Sequence, residues 1–225
     1  MDNEIIQHIG NNQDIRALFK AAERLNCDPA SYYLDRRGHL VVPGEDVAPE
    51  ARTAIYARVR YKNSILFAWP KFGNGFADLP GGGIEAQEVR PVALAREWWE
   101  ETGLAMPFTP IRVPDGHYEQ RLNFYAEDAN RFLQDYHQIF VAYDDPGNIP
   151  HGFLARERWS TPEGDVSWVP IDQIRHTPIN RAHWPAITSL VPELRGVELA
   201  PASRFPRKLS PTAGQVSAYA PTPWG

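Results

Sequence analysis

The sequence predicts an α/β domain, on three observations. Thr53–Tyr61 (TAIYARVRY) alternates like a strand, and Ser64–Trp69 (SILFAW) is a short apolar run, with Lys62-Asn63 as the turn between them. An antiparallel pair is expected there. From Val89 to Thr102 apolar residues recur at helical spacing, with Leu94 and Trp98 on one row and Val92, Ala95 and Trp99 on another. Gln138–Tyr143 (QIFVAY) and Asp165–Pro170 (DVSWVP) supply further strands, the second running into a short helix over Ile171–Ile174. Strands interleaved with helices define the class.

Taken in order, residues 1–50 precede the main domain. Asp14 caps an expected helix reaching Leu25, with Ile15, Leu18, Phe19, Ala22 and Leu25 on its apolar face. Tyr32–Leu34 and His39–Val42 flank Asp35–Gly38 as a small hairpin. The main domain is expected over 51–196. Leu79-Pro80-Gly81 is a tight turn whose small residues let the backbone approach a ligand. Pro91 suits the first turn of the helix that follows, and Gly103 is its expected stop. Ile111–Val113 and Tyr118–Tyr125 are strand-like about a turn at Pro114–Gly116, and Ala129–Asp135 reads as a short helical or loop insertion. Asp144–Pro162 reads as a long loop, a length that commonly serves binding or gating. Arg181–Leu194 reads as a closing helix, with His183 at the surface and Trp184 in the core. Residues 197–225 hold Pro201, Pro206, Pro211, Pro221 and Pro223 with Arg204, Arg207 and Lys208, and no acid follows Glu198. Such a stretch cannot bury enough apolar surface to offset its ordering entropy, so a flexible, Pro-rich basic tail is expected.

At 225 residues, 43% of them hydrophobic, the chain suits one domain with extensions around a substantial core. A net charge of −5 supplies no basic field for long nucleic acid. Cys27 is the only cysteine, which excludes an intramolecular disulfide framework and a Cys-rich zinc site. The opening MDNEIIQHIGNNQD lacks the basic end and apolar run of a signal peptide, and no apolar stretch approaches a membrane span. The expected setting is a reducing cytoplasm, with no membrane contact.

The charges on the Val89–Thr102 helix point to its chemistry. Glu97, Glu100 and Glu101 share one side of its last two turns, where like charges repel and the helix dipole presents its negative end. Arg96 can offset Glu100 at i+4, but one cation cannot neutralise three carboxylates. A hard divalent cation against the cluster resolves this, because Mg²⁺ takes oxygen ligands and leaves room for waters and phosphates. The competing reading is a solvated acidic face. The whole spacing decides between them: Gly82, Glu88, Arg96-Glu97, a bulky Trp98, Glu100-Glu101, Gly103 and Leu104 reproduce G-x5-E-x7-R-E-U-x-E-E-x-G-U at every fixed position. That pattern is the Nudix box, and the chain resembles a Nudix hydrolase. Trp98 stands where the family usually has an aliphatic residue, so a larger pocket must receive its indole.

The resemblance implies an α/β/α sandwich, a mixed sheet between helices, with the box helix packed on one face. It implies that Glu97, Glu100 and Glu101 coordinate Mg²⁺ or Mn²⁺, joined by the backbone carbonyl of Gly81. Glu88 and Arg96 then support the ligands, Arg96 by pairing with a box carboxylate. The acid-x-x-Trp-Val-Pro segment ending at Pro170 also occurs in many members near the end of the fold. The general base is left among Glu97 in the box and Glu163 or Asp165 in the later loop, where Pro162–Asp165 is equally a plain turn. N-terminal additions in the family serve dimerisation or substrate selection, so a homodimer is one expectation. A packing element over a sheet edge is the other.

Substrate contacts lie outside the box. Tyr118, Phe124, Tyr125 and Trp159 are candidates to stack on a base, where stacking is worth about 1–3 kcal/mol. Arg112, Arg121, Arg156 and Arg158 are candidates for phosphate through the guanidinium fork. For each aromatic the core is the alternative, and for each arginine a solvated surface. The expected activity is metal-dependent hydrolysis of the pyrophosphate linkage in a small nucleoside diphosphate derivative, a nucleotide sugar or dinucleotide, releasing a nucleoside monophosphate. Nucleoside triphosphates are the nearest alternative. A non-catalytic nucleotide-binding module on the same fold is disfavoured by the intact carboxylates. An isomerase of the isopentenyl diphosphate type needs a catalytic cysteine, and Cys27 lies in the N-terminal extension.

Overall fold

The computed structural model of the chain describes residues 32–41, 43, 48–106, 114–144, 149 and 151–200. The expected helix from Asp14 to Leu25, the Ile111–Val113 strand, Arg112 and residues 201–225 of the expected tail lie outside the described residues.

The described strands are β1 (Tyr33–Leu34), β2 (Leu40–Val41), β3 (Thr53–Tyr61), β4 (Ser64–Pro70), β5 (Gly81–Gly83), β6 (Gly116–Ala126), β7 (Arg131–Asp144), β8 (Arg158–Ser160) and β9 (Gly164–Pro170). They form one mixed sheet in the order β2-β1-β6-β7-β3-β4-β9-β8, with β5 paired to the start of β3. The β3–β7 pair is parallel from Thr53↔His137 to Arg60↔Asp144, and β6 and β7 are antiparallel neighbours. The helices are α1 (Arg90–Thr102), α2 (His151–Leu154), α3 (Ile171–Ile174) and α4 (Trp184–Leu190).

Strand alternation sorts β3 into two cores. Ile55, Ala57 and Val59 face α1 and pack with Leu94 and Trp98, whereas Ala54 and Tyr56 face α4 and pack with Trp184 and Ile187. The molecule is therefore the expected sandwich, with the box helix on one face and α4 on the other. Trp98 is fully buried in the α1 core, so the sheet does accommodate its indole. The Val92 and Trp99 row faces outward, at 56% and 59% exposure.

Several elements differ from expectation. Ala129–Asp135 is neither helix nor insertion. The chain turns at residues 127–130 and β7 begins at Arg131, pairing back to Ala126. The long loop Asp144–Pro162 contains α2 and β8, the latter held on β9 by the Trp159↔Val166 register. The closing helix is broken into a 3₁₀ turn over Arg181–His183, α4, and a second 3₁₀ turn over Pro192–Leu194. Val191 is extended, as a residue before proline prefers, and this ends α4. His183 is buried at 1% exposure rather than lying at the surface, while Trp184 is core as expected. Residues 197–200 join the core: Leu199 is buried and Ala200 N–H donates to the Arg175 carbonyl.

Candidate active site

The box loop is built by β5 lying antiparallel on β3, with Gly81 opposite Tyr56 and Gly82 opposite Ile55. Gly81 has φ 142°, and a Cβ there would overlap the Ile55 carbonyl, so only glycine fits this approach. A Cβ at Gly82 would overlap the Glu97 carboxylate. The loop and α1 therefore meet backbone against carboxylate. Val89 is the extended residue before α1, Pro91 sits in the first turn, and Gly103 ends the helix in the left-handed region at φ 67°, donating its N–H to the Trp99 carbonyl.

Arg96 organises the carboxylates. Its Nε and Nη2 donate to Glu88 Oε1 and Oε2 at 3.0 and 2.9 Å, a two-pronged contact, and Nη2 also reaches the Gly83 carbonyl at 2.9 Å. Its Nη1 donates to Glu97 Oε1 at 2.8 Å and to Glu100 Oε2 at 3.2 Å. The expected pairing of Arg96 with Glu100 is thus one part of a wider network. Glu88 also accepts from the Glu85 N–H at 3.0 Å, and the Arg96 hydrogen bond draws its carboxyl below the ordinary range. Glu97 goes the other way, because burial raises its carboxyl against the pull of Arg96. Glu101 Oε2 accepts from the Gly81 N–H at 2.9 Å. Burial pushes Glu101 well above the usual carboxylate range despite that bond, and Asp78 and Glu97 push in the same direction.

Whether a divalent ion suits this site turns on the donors present. Glu97, Glu100 and Glu101 offer hard oxygens on one helix side, and two of those oxygens lie within 3.2 Å of a single Arg96 nitrogen. The donor chemistry fits Mg²⁺ or Mn²⁺. Among the described residues no three His, Cys, Asp or Glu side chains are yet drawn together as a cage. Gly81 meets Glu101 through its N–H.

The later loop also reaches the box. Thr161 Oγ1 donates to the Glu101 carbonyl at 3.0 Å, which brings the 161–164 turn to the C-terminal end of α1. Glu163 is exposed on that turn, and its carbonyl accepts from the Lys71 N–H. Asp165 is engaged by Ser160 Oγ at 2.5 Å and by Arg158, which favours turn chemistry over catalysis.

The substrate candidates are not brought together. Trp159 is core, buried against Phe153, with its Nε1 donating to the Thr102 carbonyl at 2.8 Å. Arg158 pairs with Asp165, Arg121 pairs with Asp135 at 2.6 Å, and Arg156 lies over the Phe153 ring. Tyr118 is half-buried beside Phe140, and Phe124 is buried. Arg36, Asp78 and Asn180, which the sequence did not single out, and His183, expected at the surface, surround the box loop instead. The one signal for them was Asp78, an acid in an otherwise apolar run just ahead of the loop.

The NUDIX domain family model matches residues 50–190, more than half of the chain. The chain belongs to the Nudix family. No curated protein matches it significantly in sequence. Among solved structures it is similar to the MutT protein from Methanosarcina mazei Go1, at 19% identity and a TM-score of 0.45, covering 67% of this chain and 99% of that one. It is also similar to a bifunctional NMN adenylyltransferase/ADP ribose pyrophosphatase from Francisella tularensis, at 23% identity and a TM-score of 0.47, covering 65% of this chain and 42% of that one. The NUDIX domain of Shewanella oneidensis NrtR, complexed with ADP ribose, is similar at 15% identity and a TM-score of 0.45, covering 68% of this chain and 93% of that one.

Proposed function

We propose that this Nudix hydrolase cleaves the pyrophosphate linkage of a small nucleoside diphosphate derivative, with water as nucleophile, releasing a nucleoside monophosphate. The observation that carries the reading is that Arg96 joins Glu97 and Glu100 to the Gly83 carbonyl while Gly81 holds Glu101 on the same helix. An anhydride resists water because its negative oxygens repel the nucleophile. Mg²⁺ or Mn²⁺ held by the three carboxylates would screen that charge and acidify a water. The chain's own residues do the rest. Arg96 fixes Glu88 and orients Glu97 and Glu100. Glu97 is favoured over Glu163 as general base, because Arg96 orients its carboxylate against Gly82, whereas Glu163 is exposed on a turn.

The substrate class rests on charge: a net −5 offers a long polyanion no field, while a small nucleotide needs only the local site. Among the described residues no helix is long and apolar enough to cross a membrane. A reducing cytoplasmic setting and a homodimer are part of the same proposal. The test is product analysis by chromatography on nucleotide sugars, dinucleotides and nucleoside triphosphates, with Mg²⁺ and Mn²⁺ tried separately. Monophosphate release from the first two groups is expected. Preferential cleavage of triphosphates would replace the substrate class, and tight binding without cleavage of any would replace hydrolysis with a binding role.

A further inference from the structure

Arg36 stands on the turn between β1 and β2, outside the residues matched by the family model, yet its guanidinium reaches the loop that enters β5. Its Nη1 lies 3.1 Å from Asp78 Oδ2, with 14% and 7% of the two side chains exposed. The other oxygen, Asp78 Oδ1, accepts from Asn180 Nδ2 at 2.7 Å. The next residue, Leu79, donates its N–H to His183 Nδ1 at 3.3 Å. Gly81 then donates to Glu101 at 2.9 Å. The chain from Asp78 to Gly81 is thus held by backbone bonds of Asp78 to Ala68 and of Pro80 to Ala57, by the side chains of Arg36, Asn180 and His183, and by a box carboxylate.

The turn that carries Arg36 is itself fixed. Its carbonyl accepts from the Arg181 N–H at 2.9 Å, and the neighbouring Arg37 guanidinium lies 5.1 Å over the Phe76 ring. A largely buried ion pair is weak evidence for stability, since its desolvation penalty commonly matches its attraction. Nη1 and Nε of Arg36 also make no aligned hydrogen bond, so the contact with Asp78 is ionic. The Asp78 backbone is already tied to β4, exchanging both hydrogen bonds with Ala68 at 2.8 and 2.9 Å, so what the pair adds is a fixed place for the Asp78 carboxylate, three residues before the glycine that meets Glu101.

We propose that Arg36 is a positioning residue of the hydrolase site: through Asp78 it sets where the Leu79–Gly81 loop lies and thereby where Glu101 is held. The consequence for turnover rests on the hydrolase reading above, while the consequence for the loop does not. The β1–β2 turn is then part of the working site rather than only an edge strand pair.

Two readouts on the full-length chain test this. In Arg36→Gln, backbone hydrogen exchange over residues 79–83 without metal should speed about tenfold or more relative to the sheet core. On whichever pyrophosphate the wild type cleaves, kcat per folded molecule should fall about tenfold or more with KM nearly unchanged, as small misplacements of catalytic groups do. Arg36→Lys, which keeps the charge, should recover part of both, and Arg36→Gln combined with Asp78→Asn should lose about as much as Arg36→Gln alone, since both act on one contact. Wild-type exchange and kcat in folded Arg36→Gln would overturn the proposal, as would a loss that merely follows the melting temperature. Should Arg36→Gln fail to fold, Asp78→Asn weakens the same contact from the other side and is held to the same thresholds. A wild type that cleaves nothing would defeat the hydrolase reading, and the exchange readout would still decide this one.

Discussion

Glu101 and His183 sit on either side of the box loop, and their ionisation pulls stability in opposite directions. Burial raises Glu101 well above its ordinary 4.5. Above that pH the folded chain retains a proton that the unfolded chain has released, so this group withdraws stability as pH rises. Metal-free Glu101→Gln should therefore melt above the parent at about pH 8. Its turnover should fall about a hundredfold or more if the proposed cation ligand is gone. A lower melting temperature would contradict the first expectation, and parental rates in both Glu101→Gln and Glu100→Gln would rule out the carboxylate cluster. Burial lowers His183 from 6.5 to about 4. Its Nδ1 accepts from Leu79, so its 3.6 Å approach to Asp78 is that of a neutral ring and not an ion pair. Between those two pH values the unfolded chain binds a proton that the folded chain refuses. The stability is whole above 6.5 and is lost as pH falls toward about 4, on the order of 3 kcal/mol. His183→Gln should flatten this acid limb in denaturation curves at several pH values, and an unchanged slope would show that the titrating group lies elsewhere.

At the scale of elements, the β5–α1 junction separates two kinds of glycine. A methyl at Gly81 meets the Ile55 backbone, which cannot move, while one at Gly82 meets the Glu97 carboxylate, which can. Gly81→Ala should cost about 3 kcal/mol or more of stability, the range for a strained or overpacked site. Gly82→Ala should stay folded and lose turnover by displacing Glu97. Denaturant midpoints beside kcat for the two variants check this, and equal loss of stability in both would contradict it. The same junction was the most legible part of the sequence, since its glycines, proline and carboxylates act through local spacing. The β3–β4 hairpin and β9 were legible for the same reason, being short segments with their own turn or apolar signals. The first half of β7 was not, because Arg131–Asp135 (RFLQD) has no strand alternation of its own and becomes strand by pairing with β6, whereas its second half, Gln138–Tyr143, was read as a strand. His183 was misplaced because its neighbours Asp78 and Leu79 lie a hundred or so residues away in sequence, and Trp159 drew attention as an aromatic although its indole is spent on the end of α1. Arg36 had no local signal at all.

At the scale of the whole molecule, the two cores share one sheet, and β1 extends that sheet beyond the family match by pairing Leu34 with Phe124. Starting the chain at Glu50 would remove buried Tyr33 and Leu34 together with the Arg36 contact. The melting temperature should then fall by roughly 10 °C or more. Calorimetry of the shortened chain checks this, and an unchanged transition would mean that the hairpin is not part of the cooperative unit. The central claim is that Glu97 and Glu100, held by Arg96, and Glu101, held by the glycine loop, hold a divalent ion with which the chain hydrolyses a small nucleotide pyrophosphate. Its most direct test is the rate of nucleoside monophosphate release from a nucleotide sugar or dinucleotide, measured with Mg²⁺ or Mn²⁺ and again with chelator, for the wild type and Glu101→Gln. The account predicts release that needs the ion and is nearly abolished in Glu101→Gln. Release that persists in chelator, or proceeds equally in the variant, would contradict it.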